Sequence, residues 1–283
     1  MDYFIEDPDA AHCQGFRVDH IFHKGKTQFQ EVFIFDNEDF GRVLALDGYI
    51  QTTQVDEFIY HEMLAHVPLM AHPDPKRVLI VGGGDGGITR EVCRHRNIEE
   101  IVQVEIDEEV LQLCTKYLPE HSAGAFNDPR LSIIFADAFD YIKQTDKKFD
   151  VIINDSTDPV GPGEILFTRE FYTDCKAKLD NDGIFVNQND VISTMDGPVL
   201  KTYQALSGIF NDATFYTAHI PSFIGGVTMF AWGCDNTEIR NVEIDILEKR
   251  FSEKEIKTLY YSPEIHKSSF ALPPLLKDTL GMI

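Results

Sequence analysis

Apolar and polar positions fall into two different rhythms along this chain. From residue 14 to 53 they alternate one by one. Phe16-Arg-Val-Asp-His-Ile-Phe22 and Phe29-Gln-Glu-Val-Phe-Ile-Phe35 each show it. Arg42-Val-Leu-Ala-Leu46 and Tyr49-Ile-Gln-Thr-Thr53 flank Asp47-Gly48, a strong hairpin signal. The pattern predicts a small antiparallel β domain over residues 1–55. A helix is expected over Asp56–Val67, closed off by Pro73 and Pro75. A second domain is expected over residues 56–283.

Beyond Val78 the rhythm changes to short, wholly apolar runs separated by helical stretches. Such runs suit strands buried on both faces of a parallel sheet. Strands are predicted at 78–81, 101–105, 131–135, 150–154, 183–187, 214–220 and 227–232. Helices are predicted at 87–95, 107–117, 138–144, 168–179, 196–210 and 237–250. Only Pro221–Gly226 joins the last two strands, too short for a parallel crossover, so that pair should be antiparallel. The fold class is therefore α/β, with a Rossmann-like sheet of the kind adenosylmethionine-dependent transferases use and a small N-terminal antiparallel β domain.

Chemistry concentrates after the first strand of that sheet. Val78-Leu-Ile-Val81 runs into Gly-Gly-Gly-Asp-Gly-Gly87, and Glu105 ends the next apolar run. Glycines there allow a tight turn and close approach of backbone to a ligand. An acidic residue at the second strand end can accept hydrogen bonds from ribose hydroxyls. Gly82, Gly84 and Gly87 fit a spacing shared by dinucleotide enzymes and adenosyl-sulfonium enzymes. Asp85 separates the two, because its carboxylate would repel a pyrophosphate and attract a cation. The plainer role for Asp85 is a helix cap.

Reading the strand ends in order gives Asp85, Glu105, Asp137, Asp155 and Asp158. Ligands of a doubly wound sheet bind beyond those ends. Asp107, Asp140 and Asp150 are readable as caps or turn residues. Five carboxylates in register imply a cationic or hydrogen-bonding ligand. Pro159, Gly161, Pro162 and Gly163 form a loop past Asp155, and residues 156–167 are expected to make a mobile cover. Asp155 and Asp158 could bind a diamine and help to deprotonate it.

Composition narrows the classes. The chain has 283 residues, 43% hydrophobic, with a formal net charge of −22. Nucleic acid and anionic membrane surfaces are poor partners for such a charge, whereas small cationic substrates are steered inward. No apolar run has the length of a membrane span. The five scattered cysteines lack metal or redox spacing, and the acidic N-terminus is unlike a secretion signal, so a cytoplasmic location is expected.

Several of these segments together resemble the spermidine synthases, the aminopropyltransferases, and bacterial members most. They are Gly41-Arg-Val-Leu-Ala-Leu-Asp-Gly48, Asp56-Glu-Phe-Ile-Tyr-His-Glu-Met63, Gly82-Gly-Gly-Asp-Gly-Gly87, Val104-Glu-Ile-Asp107 and Asp155-Ser-Thr-Asp-Pro-Val-Gly-Pro162. The resemblance implies transfer of an aminopropyl group from decarboxylated S-adenosylmethionine to putrescine, giving spermidine and 5'-methylthioadenosine. It places Glu105 on the donor's ribose and Asp137-Ala138 at its adenine, where relatives usually carry Asp-Gly. Gln30, Gln51, His61, Asp85 and Pro162 would complete the donor site. Tyr60, Asp155, Asp158, Gln188 and Phe223 would line the acceptor site, with Asp155 as catalytic base. Phe223 stands where relatives usually have tyrosine, which leaves cadaverine or agmatine open as alternative acceptors. The resemblance implies no cofactor and no metal, and a homodimer or homotetramer. Three rivals are carried: a methyltransferase using intact S-adenosylmethionine, a non-catalytic polyamine-binding protein, and an NAD-dependent oxidoreductase, which Asp85 disfavours.

Overall fold

The structure is a computed structural model that describes residues 2–6, 12–157, 161–191 and 197–282. The N-terminal part forms a two-stranded antiparallel ribbon, β1 (Asp2–Glu6) and β2 (Gln14–Val18), and a four-stranded antiparallel sheet. The sheet takes β3 (His20–Lys26), β4 (Glu31–Asn37), β5 (Gly41–Leu46) and β6 (Tyr49–Thr53) in that order. Asp47 and Gly48 both take positive φ in the β5–β6 turn, as that hairpin demands.

Next come α1 (Glu57–Ala71), β7 (Arg77–Gly82), α2 (Gly87–Cys93), β8 (Glu100–Glu105), α3 (Glu108–Tyr117) and α4 (Pro119–Ser122). They are followed by β9 (Leu131–Phe135), α5 (Ala138–Gln144), β10 (Phe149–Asp155), α6 (Arg169–Ala177), β11 (Leu179–Val191) and α7 (Pro198–Ser207). The rest of the chain gives β12 (Asp212–His219), β13 (Val227–Cys234), α8 (Thr237–Arg240), α9 (Ile244–Lys254), α10 (Pro263–Ser269) and α11 (Pro274–Thr279).

The large sheet has the order β12-β13-β11-β10-β7-β8-β9. Only β13 runs against its neighbours; the other pairings are parallel. Alternate residues of its strands face two separate cores. Val78, Ile80, Val151, Ile153, Ile184 and Val186 pack with α1 residues such as Met63 and Val67. Leu79, Val81, Ile152 and Phe185 pack with Ile142, Phe171 and Leu206 on the other face. Burial on both faces is what the unbroken apolar runs required. The N-terminal sheet joins through a third core, where Val32, Ile34, Leu44 and Leu46 meet Val110 and Cys114 of α3. β10 occupies the middle of the sheet with β7 beside it, and strand order reverses between the two. A crevice opens there at the carboxyl ends.

Four expectations need correction. The helix expected over 237–250 is two helices, α8 and α9. Arg240 is held by both oxygens of Asp212, and Ile239 and Val242 are both buried, so the chain turns there. β11 extends well beyond 183–187. Its Asp-Asn-Asp-Gly stretch forms an irregularity, with Phe149 pairing Leu179 and Val151 pairing Ile184. α1 continues through Pro68 and ends where the His72 N–H meets the Pro68 carbonyl. β1, α4, α10 and α11 lie in segments for which the sequence pattern predicts no element. The tail between α9 and α10 is fastened to α1 by Glu62. This buried carboxylate accepts hydrogen bonds from the backbone N–H groups of Leu259, Tyr260 and Tyr261, each at 2.8 Å.

Candidate active site

The turn after β7 is built so that backbone can stand where side chains cannot. Gly82 has φ 79°, and a Cβ there would lie 2.2 Å from the Asp155 carbonyl. The Gln103 side-chain amide donates to the carbonyls of Gly82 and Gly83, at 2.9 and 2.8 Å, and Thr89 donates to its oxygen. The Gly83 N–H meets the Asp155 carbonyl at 3.2 Å. The glycine turn and the end of β10 are thereby stitched together, with Asp85 and Asp155 on the same crevice.

Asp85 does act on the helix, accepting from the Gly87 N–H at 2.8 Å. Its other oxygen faces His61 Nε2 at 3.2 Å. The opposite ring nitrogen of His61 meets Glu57. Burial works against charge on His61, but Asp85 and Glu57 push it up to about 10. Burial likewise opposes ionisation of Asp85, yet His61 holds its carboxyl well below the usual range. Asp155 is the reverse case. Burial and then the neighbouring Asp85 charge push it up to about 6, against the pull of His61 and Tyr60. The Tyr60 hydroxyl donates to Asp155 Oδ1 at 2.5 Å.

On the other side of the turn, Glu105 is pushed up to about 7 by burial, with Asp107 and Asp155 adding to the effect. It accepts the Asp107 N–H at 2.8 Å. Asp107 caps α3 and also accepts from Thr27 Oγ1 at 2.5 Å and Gln30 Nε2 at 3.0 Å. This carboxylate therefore links the N-terminal sheet to the Glu105 side of the crevice. Asp137 caps α5 through the Phe139 N–H. Asp150 fastens the Lys76 and Arg77 N–H groups away from the crevice.

Tyr60, His61, Asp85, Glu105, Asp137 and Asp155 line one cavity of about 580 Å³. Of the expected donor-site residues, Gln30, Gln51, His61, Asp85, Glu105, Asp137 and Ala138 contribute to its wall. So do Tyr60, Asp155, Gln188 and Phe223 of the expected acceptor site. Gln188 donates to the Ser156 carbonyl at 3.0 Å. The Phe223 ring packs edge-on against Tyr60, with centroids 6.1 Å apart. Asp158 lies outside the described residues. Pro162 falls in a 3-10 segment, Gly161–Phe167, from which Gly163 and Leu166 reach the cavity. The expected cover over 156–167 is thus placed beside the cavity on both sides of the residues left undescribed.

Sequence reasoning missed Glu57, Arg90, Glu6 and Asp47. Glu6 and Asp47 add carboxylates to the wall. Glu57 carried a usable signal, standing four residues before His61 on a predicted helix. Among the described residues of the wall there is no lysine or arginine; His12 and His61 are its basic side chains. A strongly acidic crevice is matched to a small cation with hydroxyl groups. The crevice lies at the switch point of a Rossmann-like sheet, the place where such folds bind ligands.

Comparison with known proteins carries this further. The family model described as spermine/spermidine synthase domain matches residues 57–243, and that described as spermidine synthase tetramerisation domain matches residues 3–54. A polyamine aminopropyltransferase of Erwinia tasmaniensis is 52% identical over 268 residues, covering 95% of this chain and 94% of its own. Its counterpart in Yersinia pseudotuberculosis is 49% identical over 282 residues, covering 100% and 95%. A solved spermidine synthase in complex with the transition state analogue AdoDATO superimposes with TM-score 0.94 at 35% identity, over 100% of this chain and 96% of that one. The Thermotoga maritima spermidine synthase does so with TM-score 0.92 at 35% identity, over 100% and 95%. This chain belongs to the spermine/spermidine synthase family.

Proposed function

We propose that this chain is a polyamine aminopropyltransferase, a spermidine synthase, taking decarboxylated S-adenosylmethionine and putrescine to spermidine and 5'-methylthioadenosine. The observation that carries the reading is the pair Asp85 and Asp155, on adjacent strand ends with opposite acid–base character. Separated carboxyl environments of this kind mark distinct roles. In this assignment Asp85 holds the donor's ammonium, and Glu105 takes its ribose hydroxyls. Hydroxyl donors would return Glu105 from near 7 to a stable carboxylate.

The acceptor amine lies against Tyr60, Asp155, Gln188 and Phe223. Its nitrogen lone pair attacks the aminopropyl carbon bonded to sulfur. The carbon–sulfur pair leaves with sulfur, which becomes the neutral thioether. The surplus proton passes to Asp155. An alkylamine of pKa about 10.4 costs roughly 4.6 kcal/mol to deprotonate at pH 7. A carboxylate near 6 accepts that proton more readily than one at 3.8, and the sulfonium lowers the amine's own pKa. Alignment in the cavity supplies much of the remainder. The displacement is redox-neutral and its leaving group is already activated, so it calls for no cofactor and no metal.

Intact S-adenosylmethionine would bring a carboxylate towards Asp85 and Asp155, which disfavours a methyltransferase. We also propose a homo-oligomer, a tetramer on the description of the family model over residues 3–54, with exposed Tyr3, Ile5 and Ile21 as contact candidates. No helix among the described residues is long and apolar enough to cross a membrane, and a cytoplasmic location is proposed from composition. The deciding experiment is an acceptor panel with the decarboxylated donor, read as methylthioadenosine release. Release with putrescine is expected, and no release with any diamine would end the assignment.

A further inference from the structure

His61 sits in a fixed frame that extends away from the cavity. The Arg90 guanidinium meets Glu57 with two nitrogens, at 2.9 and 2.8 Å. Its Nε meets Glu91 at 2.7 Å. It also donates to the carbonyls of Glu120 and His121, at 3.1 and 2.8 Å. Glu57, bound on one side by Arg90, offers its remaining capacity to His61 Nδ1. Burial opposes charge on Glu57, but His61 and Arg90 keep its carboxyl well below the usual range. The His61 ring packs directly on Gly87, where an added Cβ would lie 2.2 Å from it.

An ionised carboxylate can only accept hydrogen bonds. His61 faces a carboxylate at each ring nitrogen, an arrangement that two ring protons satisfy. We infer that Arg90 and Glu57 are positioning residues that hold His61 as an imidazolium against Asp85. The other groups near the ring are Tyr60 and Asp155 on the cavity side, and His121, whose ring centre is 6.1 Å away. His121 is turned below its usual range by burial, against the pull of Asp85 and Glu57, and its Nε2 is engaged with Thr52 at 3.0 Å. Among the described residues Asp85 and Asp155 therefore have one cation between them, and Arg90 secures it without lining the cavity. With that cation fixed, Asp85 stays ionised with one oxygen on His61 and the other on the Gly87 N–H. The kinetic consequence rests on the proposed function; the charge state of His61 does not.

The test is nitrogen-15 NMR of histidine-labelled full-length protein, unliganded, titrated from pH 6 to 9, beside donor kinetics. The variants are Glu57→Gln, Arg90→Met and Arg90→Lys. The wild type is expected to keep imidazolium shifts at both His61 nitrogens throughout. Glu57→Gln and Arg90→Met are expected to let His61 titrate within that range. They should lower kcat/KM for the donor by up to about 100-fold, more strongly as pH rises, as misplacement of a binding group does. Arg90→Lys should recover part of both effects, and if Arg90→Met does not fold, Glu57→Gln and Arg90→Lys decide. A neutral His61 at pH 7.5 in the wild type overturns the inference. So do folded variants with lowered thermal stability but wild-type His61 shifts and pH profile. Absent methylthioadenosine release by the wild type would strike the proposed function and leave the NMR result standing.

Discussion

Asp85 and Asp155 both stand at the carboxyl ends of neighbouring strands, Asp155 as the last residue of β10 and Asp85 in the turn after β7, yet they are opposites. Both follow an apolar run, and both face the same cavity. Asp85 has a cation and a backbone N–H; Asp155 has one phenol and a like charge nearby. The difference lies in what offsets burial: α1 gives Asp85 the His61 ring, backed by Glu57, whereas at Asp155 the pull of His61 and Tyr60 does not overcome burial and the Asp85 charge. In the proposed reaction His61 thus keeps Asp85 a holder of positive charge, while burial and the Asp85 charge, against the pull of His61 and Tyr60, suit Asp155 to accept a proton. Position at a strand end makes a residue available; the opposing helix decides its chemistry.

The most severe way to break the comparison is Asp155→Asn. The amide preserves shape and cannot take the amine proton. Turnover is expected to fall about 10²–10⁴-fold with donor affinity largely kept, as general-base loss does. Near-normal turnover in a steady-state assay would remove Asp155 from that role. A smaller effect should come from Asp85→Asn, read in the pH profile rather than at one pH. Asp155 must be ionised to work, so wild-type activity should drop as pH falls through about 6. Removing the Asp85 charge should move that acid limb down by about one pH unit, besides weakening the donor. An unmoved limb would mean that burial alone sets Asp155.

The smallest effect is expected on the acceptor side. Phe223→Tyr adds a hydroxyl beside Tyr60, as the resemblance read in the sequence would have it. Putrescine KM should tighten by up to about 10-fold, the factor that about 1.5 kcal/mol represents, with longer diamines gaining less. Equal KM values and an unchanged acceptor ranking would make Phe223 a packing residue only.

What could be read in the sequence follows a physical divide. Strands buried on both faces carry their own signature, so β7 to β10 and β13 were placed to within two residues. The strand-end carboxylates were found because they follow such runs. Elements shaped by partners far along the chain were not. The break between α8 and α9 depends on Asp212, and the length of β11 depends on pairing with β10 and β13. Asp107 shows the same limit within the site. Its cap was anticipated, and its bonds to Thr27 and Gln30 were not, because they join positions 80 and 77 residues apart. Arg90 is the extreme case: one of several arginines in sequence, it gains its meaning only by closing on Glu57.

Glu62 gives the helix that carries Tyr60 and His61 a temporal dimension. Its buried carboxylate is satisfied by three N–H groups that lie almost 200 positions later in the chain. A ribosome delivering this polypeptide exposes that charge long before its partners emerge. Until residues 259–261 arrive, burying that side of α1 would strand an ion without donors, a substantial penalty. The helix that carries Tyr60 and His61 therefore reaches its final environment only once residues 259–261 have been made.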